Sequence, residues 1–181
     1  MPKKVIVLLA EGFEEVEAIT PIDYLRRAGI EVTTAAVGAG GTDGGTSRTV
    51  TGSHGIPVTA DAVLLNLVKA GKTAASAWDA VLIPGGLPGA VNLAASKETG
   101  ALLKEMAAAG RTVAAICASP AMVLAPLGIL AGKRFTCYPG MEKTVSGAQW
   151  SADTVVIDSN AAGGILLPAG AREPPQPLPS R

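Results

Sequence analysis

The sequence predicts one α/β domain built on a parallel sheet with helices on both faces. Three observations lead there. Short apolar runs of strand length alternate along the chain with longer amphipathic or Ala-rich runs. The runs VIVLL, AVLI and VAAI are continuously apolar, as strands buried on both faces require. A chain of 181 residues, 48% of them hydrophobic, is long enough for one well-packed core and short for two.

In chain order, residues 4–9 (KVIVLL) read as the first strand. Residues 15–28 read as a helix, with Val16, Ile19, Ile22 and Leu25 at three-residue steps and Gly29 as the stop. Residues 31–37 (EVTTAAV) return as a strand, residues 38–45 form a Gly-rich loop, and residues 50–58 form a small hairpin around Ser53 and His54. A weak helix is expected over residues 61–68. Then come a strand at residues 79–83, a helix at residues 97–109 ended by Gly110, a strand at residues 112–116, and a helix from about Pro120. Ligands of such sheets collect beyond the carboxyl ends of the strands. EGFEEVE, PGGLPG and CASP occupy those ends and are the expected walls of a site.

Composition excludes several classes. Lys plus Arg and Asp plus Glu both total 15, so no basic excess holds a nucleic acid or an anionic membrane. The apolar run after Lys4 meets Glu11 too soon for a signal-peptide core. Residues 112–132 have the length of a membrane span, but Pro120, Pro126 and Gly128 interrupt them, and a buried strand, turn and helix fit better. Two cysteines and one histidine make neither a disulfide framework nor a zinc site, which suggests a reducing, cytoplasmic setting without metal or cofactor.

Cys117 stands where a strand gives way to a helix. With Ser119 as N-cap and Pro120 in the first turn, the sulfur would lie at the positive end of that helix, where a thiolate is favoured. A free cysteine also packs as a small apolar group, and position alone leaves both readings open. Glu14, Glu15 and Glu17 begin the first helix, where complementing its dipole explains an acidic residue. A carboxyl buried against a thiolate is repelled when ionised; protonated, it donates to the sulfur and keeps it charged. Backbone N–H groups at Gly85 and Gly86 can approach a developing oxyanion, although an isolated PGG is more simply a tight turn.

The segments LLAEGFEEVEAITPIDYLRRAGIEVT, VLIPGGLPGA, VAAICASPAMVLA and FTCYPGMEK, in this order, resemble the DJ-1/ThiJ/PfpI superfamily from Lys3 to about Asn160. Ala118 stands where protease- and amidase-like members carry histidine, as in the DJ-1-like branch, which speaks against a peptidase. The resemblance implies a flavodoxin-like fold over residues 1–160, Cys117 as nucleophile, Glu17 as its carboxylic partner, and the N–H groups of Gly86 and Ala118, beside Gly85, as oxyanion donors. It implies a homodimer in which the hairpin carrying His54 reaches the partner's site; an exposed turn histidine is the plainer account. Tyr138 occupies a place where some members have histidine, so no Cys–His dyad forms there. Cys137 reads as structural, with a resolving thiol as the lesser alternative.

The expected function is therefore cofactor-independent conversion of small reactive carbonyls, of the glyoxalase or deglycase type. The rival is a redox-sensing or protein-protective role for the same cysteine. A hydrolase or amidotransferase reading is weaker, for want of the histidine. Residues 161–181 (AAGGILLPAGAREPPQPLPSR) resemble nothing in the family and have the Pro-rich character of a disordered tail. Read one base out of register from Leu167 onward, the codons permit TSRGPGTAAAFAFA, the turn and helix start that family members have. A frameshift between about Ser159 and Leu166 is thus expected to cost the chain its last strand and helix, and with them stability and activity.

Overall fold

The computed structural model describes residues 2–38, 47–71 and 76–158, and the strand at 165–168 as backbone. All of the Gly-rich loop expected at 38–45 except Gly38, and most of the segment 161–181, lie outside the described residues.

The elements are β1 (Lys4–Ala10), α1 (Glu15–Arg27), β2 (Glu31–Val37), β3 (Thr49–Thr51), β4 (Pro57–Thr59), β5 (Ala62–Val63) and α2 (Leu64–Lys69). They continue with β6 (Ala80–Ile83), α3 (Gly89–Ala95), α4 (Lys97–Ala108), β7 (Thr112–Ala115) and a short π-type helix at Pro120–Leu124. Next are β8 (Arg134–Phe135), a 3₁₀ turn at Met141–Thr144, β9 (Gln149–Trp150), β10 (Val155–Asp158) and β11 (Ile165–Pro168). The main sheet runs β10-β11-β7-β6-β1-β2-β5, and its pairs are parallel except β10 with β11. The hairpin β3–β4 stands apart as its own antiparallel pair.

Alternation along β1 divides the core in two. Ile6, Leu8 and Ala10 pack with Leu64 of α2, Leu93 of α3, and Leu102, Leu103 and Met106 of α4. Val5, Val7 and Leu9 face the other way, onto Phe13 and onto Ala18 and Ile22 of α1. Among the described α-helices, α1 is the one contributing to this second cluster. Its acidic first turn (Glu15, Glu17) and basic last turn (Arg26, Arg27) both complement the helix dipole. α4 begins under a side-chain cap, with Ser96 Oγ accepting the Thr99 N–H at 3.1 Å. No helix among the described residues is long and apolar enough to cross a membrane.

Four differences from the sequence-based expectations have physical causes. The weak helix expected from residue 61 is shorter, because Ala62 and Val63 first pair with Ala35 and Ala36 as an edge strand. α3 was not expected; its seven residues give too short a window for a periodic pattern. The helix after Cys117 is five residues of wide turn, closed by the Ala125 N–H donating to the Pro120 carbonyl at 3.0 Å. Finally, the expected loss of the last strand does not hold for the backbone: β11 pairs with β7 through Ile165–Val113 and Leu166–Ala114.

Candidate active site

The carboxyl ends of β1, β6 and β7 release their chains into one cluster. After β1, residues 11–14 cross over the turn that follows β6, with the Glu14 N–H donating to the Gly85 carbonyl and the Gly89 N–H to the Gly12 carbonyl, both at 3.0 Å. After β7, the buried Ser119 hydroxyl donates to the Pro84 carbonyl at 2.6 Å. The Tyr138 N–H donates to the Cys117 carbonyl at 2.7 Å. The three expected walls therefore do meet, with the Tyr138 N–H holding the Cys117 carbonyl.

Cys117 has φ of 58°, the left-handed region that side chains other than Asn, Asp and Gly rarely enter, at a cost of about 1–3 kcal/mol. This sharp strand-to-helix reversal lifts the half-buried sulfur above the sheet, as in a nucleophile elbow. The N–H groups of Gly86 and Ala118 donate to the sulfur, and Glu17 hydrogen-bonds it from α1. Glu17 Oε2 also accepts the Gly85 N–H at 2.8 Å. Gly85 has to be glycine because a Cβ there would lie 2.6 Å from the Cys117 Cβ and 2.8 Å from Glu17 Oε2. Thus Cys117, Glu17, Gly85, Gly86 and Ala118 come together.

The electrostatics correct one expectation. Ser119 is helical in conformation and caps nothing, its hydroxyl being engaged by Pro84, so no capped helix end lowers the thiol pKa. Instead burial, then the Glu17 carboxylate, push Cys117 up to about 12, against donation from the Ala118 and Gly86 N–H groups. Burial also raises Glu17, with a smaller push from Glu14, against donation from Gly85 and Cys117. Both shifts disfavour the state in which thiol and carboxyl are ionised together. The pair therefore retains a proton around neutrality.

Sequence reasoning treated Glu15 as a residue that merely complements the helix dipole, and the structure makes it a hub. Its side chain is 8% exposed. It accepts the His54 N–H at 2.8 Å, pairs with His54 Nδ1 at 2.9 Å, and accepts the Ser53 hydroxyl at 3.3 Å. Burial opposes its ionisation, but hydrogen bonding to His54 and to backbone N–H groups outweighs this and brings the carboxyl down to about 2. No spacing pattern couples residues 15 and 54 in the sequence; only the hairpin's docking brings them together. His54 itself is exposed, and its ring is paired within its own chain. Cys137 is buried, and burial followed by the Glu142 charge moves it up to about 11. A cavity of about 600 Å³ lies at the opposite, amino edge of the sheet between Lys3, Lys4, Trp78, Asp79 and Arg111, away from this cluster.

The DJ-1/PfpI family model matches residues 3–166. Protein DJ-1 homolog B of Arabidopsis thaliana is 38% identical over 157 residues, covering 86% of this chain but only 33% of that longer protein. The Parkinson disease protein 7 homolog of Danio rerio is 38% identical over 169 residues, covering 93% of this chain and 82% of the relative. A protein named a deglycase in Pyrococcus horikoshii is 33% identical over 160 residues, covering 87% and 86%. Among solved structures, a DJ-1 superfamily protein of Salmonella typhimurium superposes with a TM-score of 0.80 at 38% identity, over 93% of this chain and 82% of that one. An oxidized DJ-1 of Toxoplasma gondii does so with a TM-score of 0.80 at 34% identity, over 93% and 82%. With the family model spanning residues 3–166 and the Danio rerio relative 38% identical over 82% of its length, the chain belongs to the DJ-1/PfpI family.

Proposed function

We propose that the protein is a cofactor-independent cysteine enzyme converting small 2-oxoaldehydes, or their adducts on amino groups, to 2-hydroxy acids. The observation that supports this best is the meeting of one carboxyl and two N–H donors on a single thiol at a strained turn. Similarity to a protein named a deglycase, at 33% identity over 86% of its length, adds to it. In this reading the reactive form has the proton on Glu17 and the charge on the sulfur, a form that the Gly86 and Ala118 N–H groups favour against the burial and the Glu17 charge that push Cys117 up to about 12.

Sulfur attacks the aldehyde carbon, and the new oxyanion lies against the Gly86 and Ala118 N–H groups before it is protonated. Glu17, ionised after supplying that proton, removes the hydrogen from the former aldehyde carbon to give an enediolate and returns it to the neighbouring carbon, while the hydroxyl proton on the former aldehyde oxygen passes to the former ketone oxygen. The hemithioacetal has then become a thioester of the 2-hydroxy acid. Water cleaves the thioester and regenerates the thiol, so the sum is 2-oxoaldehyde plus water giving 2-hydroxy acid, the ketone carbon being reduced as the aldehyde carbon is oxidised, with no external oxidant. The protein works as a homodimer in a reducing compartment, and a frameshift in the C-terminal segment, if the gene carries one, lowers this activity. Incubation with methylglyoxal alone should yield lactate; unchanged lactate formation by Cys117→Ala would sink the mechanism.

A second reading has its own support in the similarity to a DJ-1 recorded in an oxidized state. Here Cys117 is oxidised to the sulfinic acid, whose oxygens Glu17 and the two N–H groups hold. Mild peroxide should add two oxygens at Cys117, and a protein of this kind forms no lactate.

A further inference from the structure

The Cys117 mechanism leaves the cluster at the tip of the β3–β4 hairpin unused, and its geometry leads back to the site. His54 Nδ1 lies 2.9 Å from Glu15 Oε2 and 3.6 Å from Glu14 Oε2. The Ser53 hydroxyl donates to Glu14 Oε2 at 3.1 Å. The Ser53 N–H donates to the Phe13 carbonyl at 2.8 Å and thereby fixes the tip on the start of α1. Glu14 is the shared neighbour: it faces His54 on one side, and its charge acts on Glu17 on the other. The remaining residues of the tip, 51–56, carry no other charged side chain, and neither does the turn 84–89. Glu11 lies at the same edge, accepting the Thr51 N–H at 3.1 Å. His54 is therefore the cation set against an acidic rim of Glu11, Glu14 and Glu15.

We propose that His54 is a positioning residue for the Cys117–Glu17 pair: its positive charge, held on Glu14 and Glu15, offsets the negative field that Glu14 puts on Glu17 and so sets the pH at which the sulfur becomes reactive. This rests on the coupled-pair reading above. While His54 is charged, the rim is partly neutralised and the pair ionises more readily. Once His54 loses its proton, the carboxylates act on the pair unopposed and ionisation of the sulfur is pushed to higher pH. The contact with Glu15, then the charges of Glu14 and Glu15, raise the His54 pKa above its ordinary 6.5, so the ring keeps its charge to higher pH than a free imidazole does.

The test is the pH profile of Cys117 alkylation by iodoacetamide on the full chain, read by peptide mass so that Cys137 is scored separately. His54→Arg keeps the cation at every pH and should lower the apparent mid-point, whereas His54→Gln should raise it by about half a unit, about threefold in rate at a fixed pH. The wild type should follow the Arg variant at the acid end and the Gln variant at the alkaline end. Glu14→Gln should shift the mid-point opposite to His54→Gln, a pattern that mere loosening of the hairpin does not produce. Molar salt should shrink all the shifts. Superimposable profiles, or shifts of one sign for both Gln variants, overturn the proposal while leaving the coupled pair intact. A wild-type Cys117 that reacts no faster than an unstructured thiol removes the coupled pair and the proposal together.

Discussion

Glu15 and Glu17, separated by Val16, stand on the first turn of the same helix, and the fold drives their ionisation in opposite directions. Glu15 points to the hairpin, where the His54 ring and N–H and further donors surround it, and burial is outweighed. Glu17 points to the elbow, where it meets one N–H and a thiol, and burial prevails. The difference lies in the number and charge of the donors, since burial alone raises both. One carboxylate is thereby fixed as a permanent anion that fastens a hairpin. The other is moved toward its protonated form beside the thiol.

The largest effects should come from breaking the elbow side. Glu17→Ala should lower lactate formation from methylglyoxal by about 10²–10⁴-fold while the melting temperature changes little, because a group positioned for proton transfer contributes on that scale. The thiol mid-point tells which member of the pair holds the proton. If Glu17 is the donor, Glu17→Ala raises the mid-point and Glu17→Gln, which still has an N–H to offer, largely preserves it. If Glu17 is ionised, both substitutions lower it. Gly85→Ala should abolish turnover as well, since its methyl group would enter the contact between Cys117 and Glu17.

This asymmetry also marks what could be read from the sequence. The parallel sheet was legible because VIVLL, AVLI and VAAI are two-sided apolar runs, and β1, β6 and β7 lie within a residue or so of them. The three walls were legible as the segments that end those strands. The ionisation of Cys117 was not, because the inferred helix dipole needed a capped helix and the chain forms a five-residue π-type turn with Ser119 bonded elsewhere. Glu17 was singled out from its neighbours by family resemblance; local chemistry treated all three acids alike. Glu15 was passed over because its partners lie 38 to 41 residues away, on a hairpin whose docking no local pattern encodes. Strand β11 was missed because its pairing with β7 and β10 is a tertiary contact inside a segment whose composition suggests a tail.

On the hairpin side the expected effects are on stability. Gly52 packs against the Glu15 side chain so closely that a Cβ would overlap its carboxyl. Gly52→Ala should therefore push the hairpin off α1 and cost about 1–3 kcal/mol. At this chain length each kcal/mol lowers the melting temperature by about 2–4 °C, which differential scanning calorimetry resolves. An unchanged melting temperature would mean that the hairpin tip adds nothing to the fold.

The smallest and most specific effect concerns acid. The Glu15 carboxyl titrates at about 2 in the folded chain against an ordinary 4.5, so its pKa is depressed by folding. A depressed carboxyl adds stability that is fully present above the unfolded-state value and is lost as the pH falls through the window from about 4.5 to about 2, because the unfolded chain takes up the proton first. Glu15→Gln removes the titration. The variant should start from a lower melting temperature at pH 7, having lost the charged partner of His54, and should then lose less than the wild type between pH 5 and pH 3. His54→Gln, which leaves the carboxyl and its backbone donors in place, should flatten the same limb only in part. Parallel acid limbs for wild type and Glu15→Gln would show that the hairpin fastens through its backbone alone, and the contrast between the two glutamates would reduce to their burial.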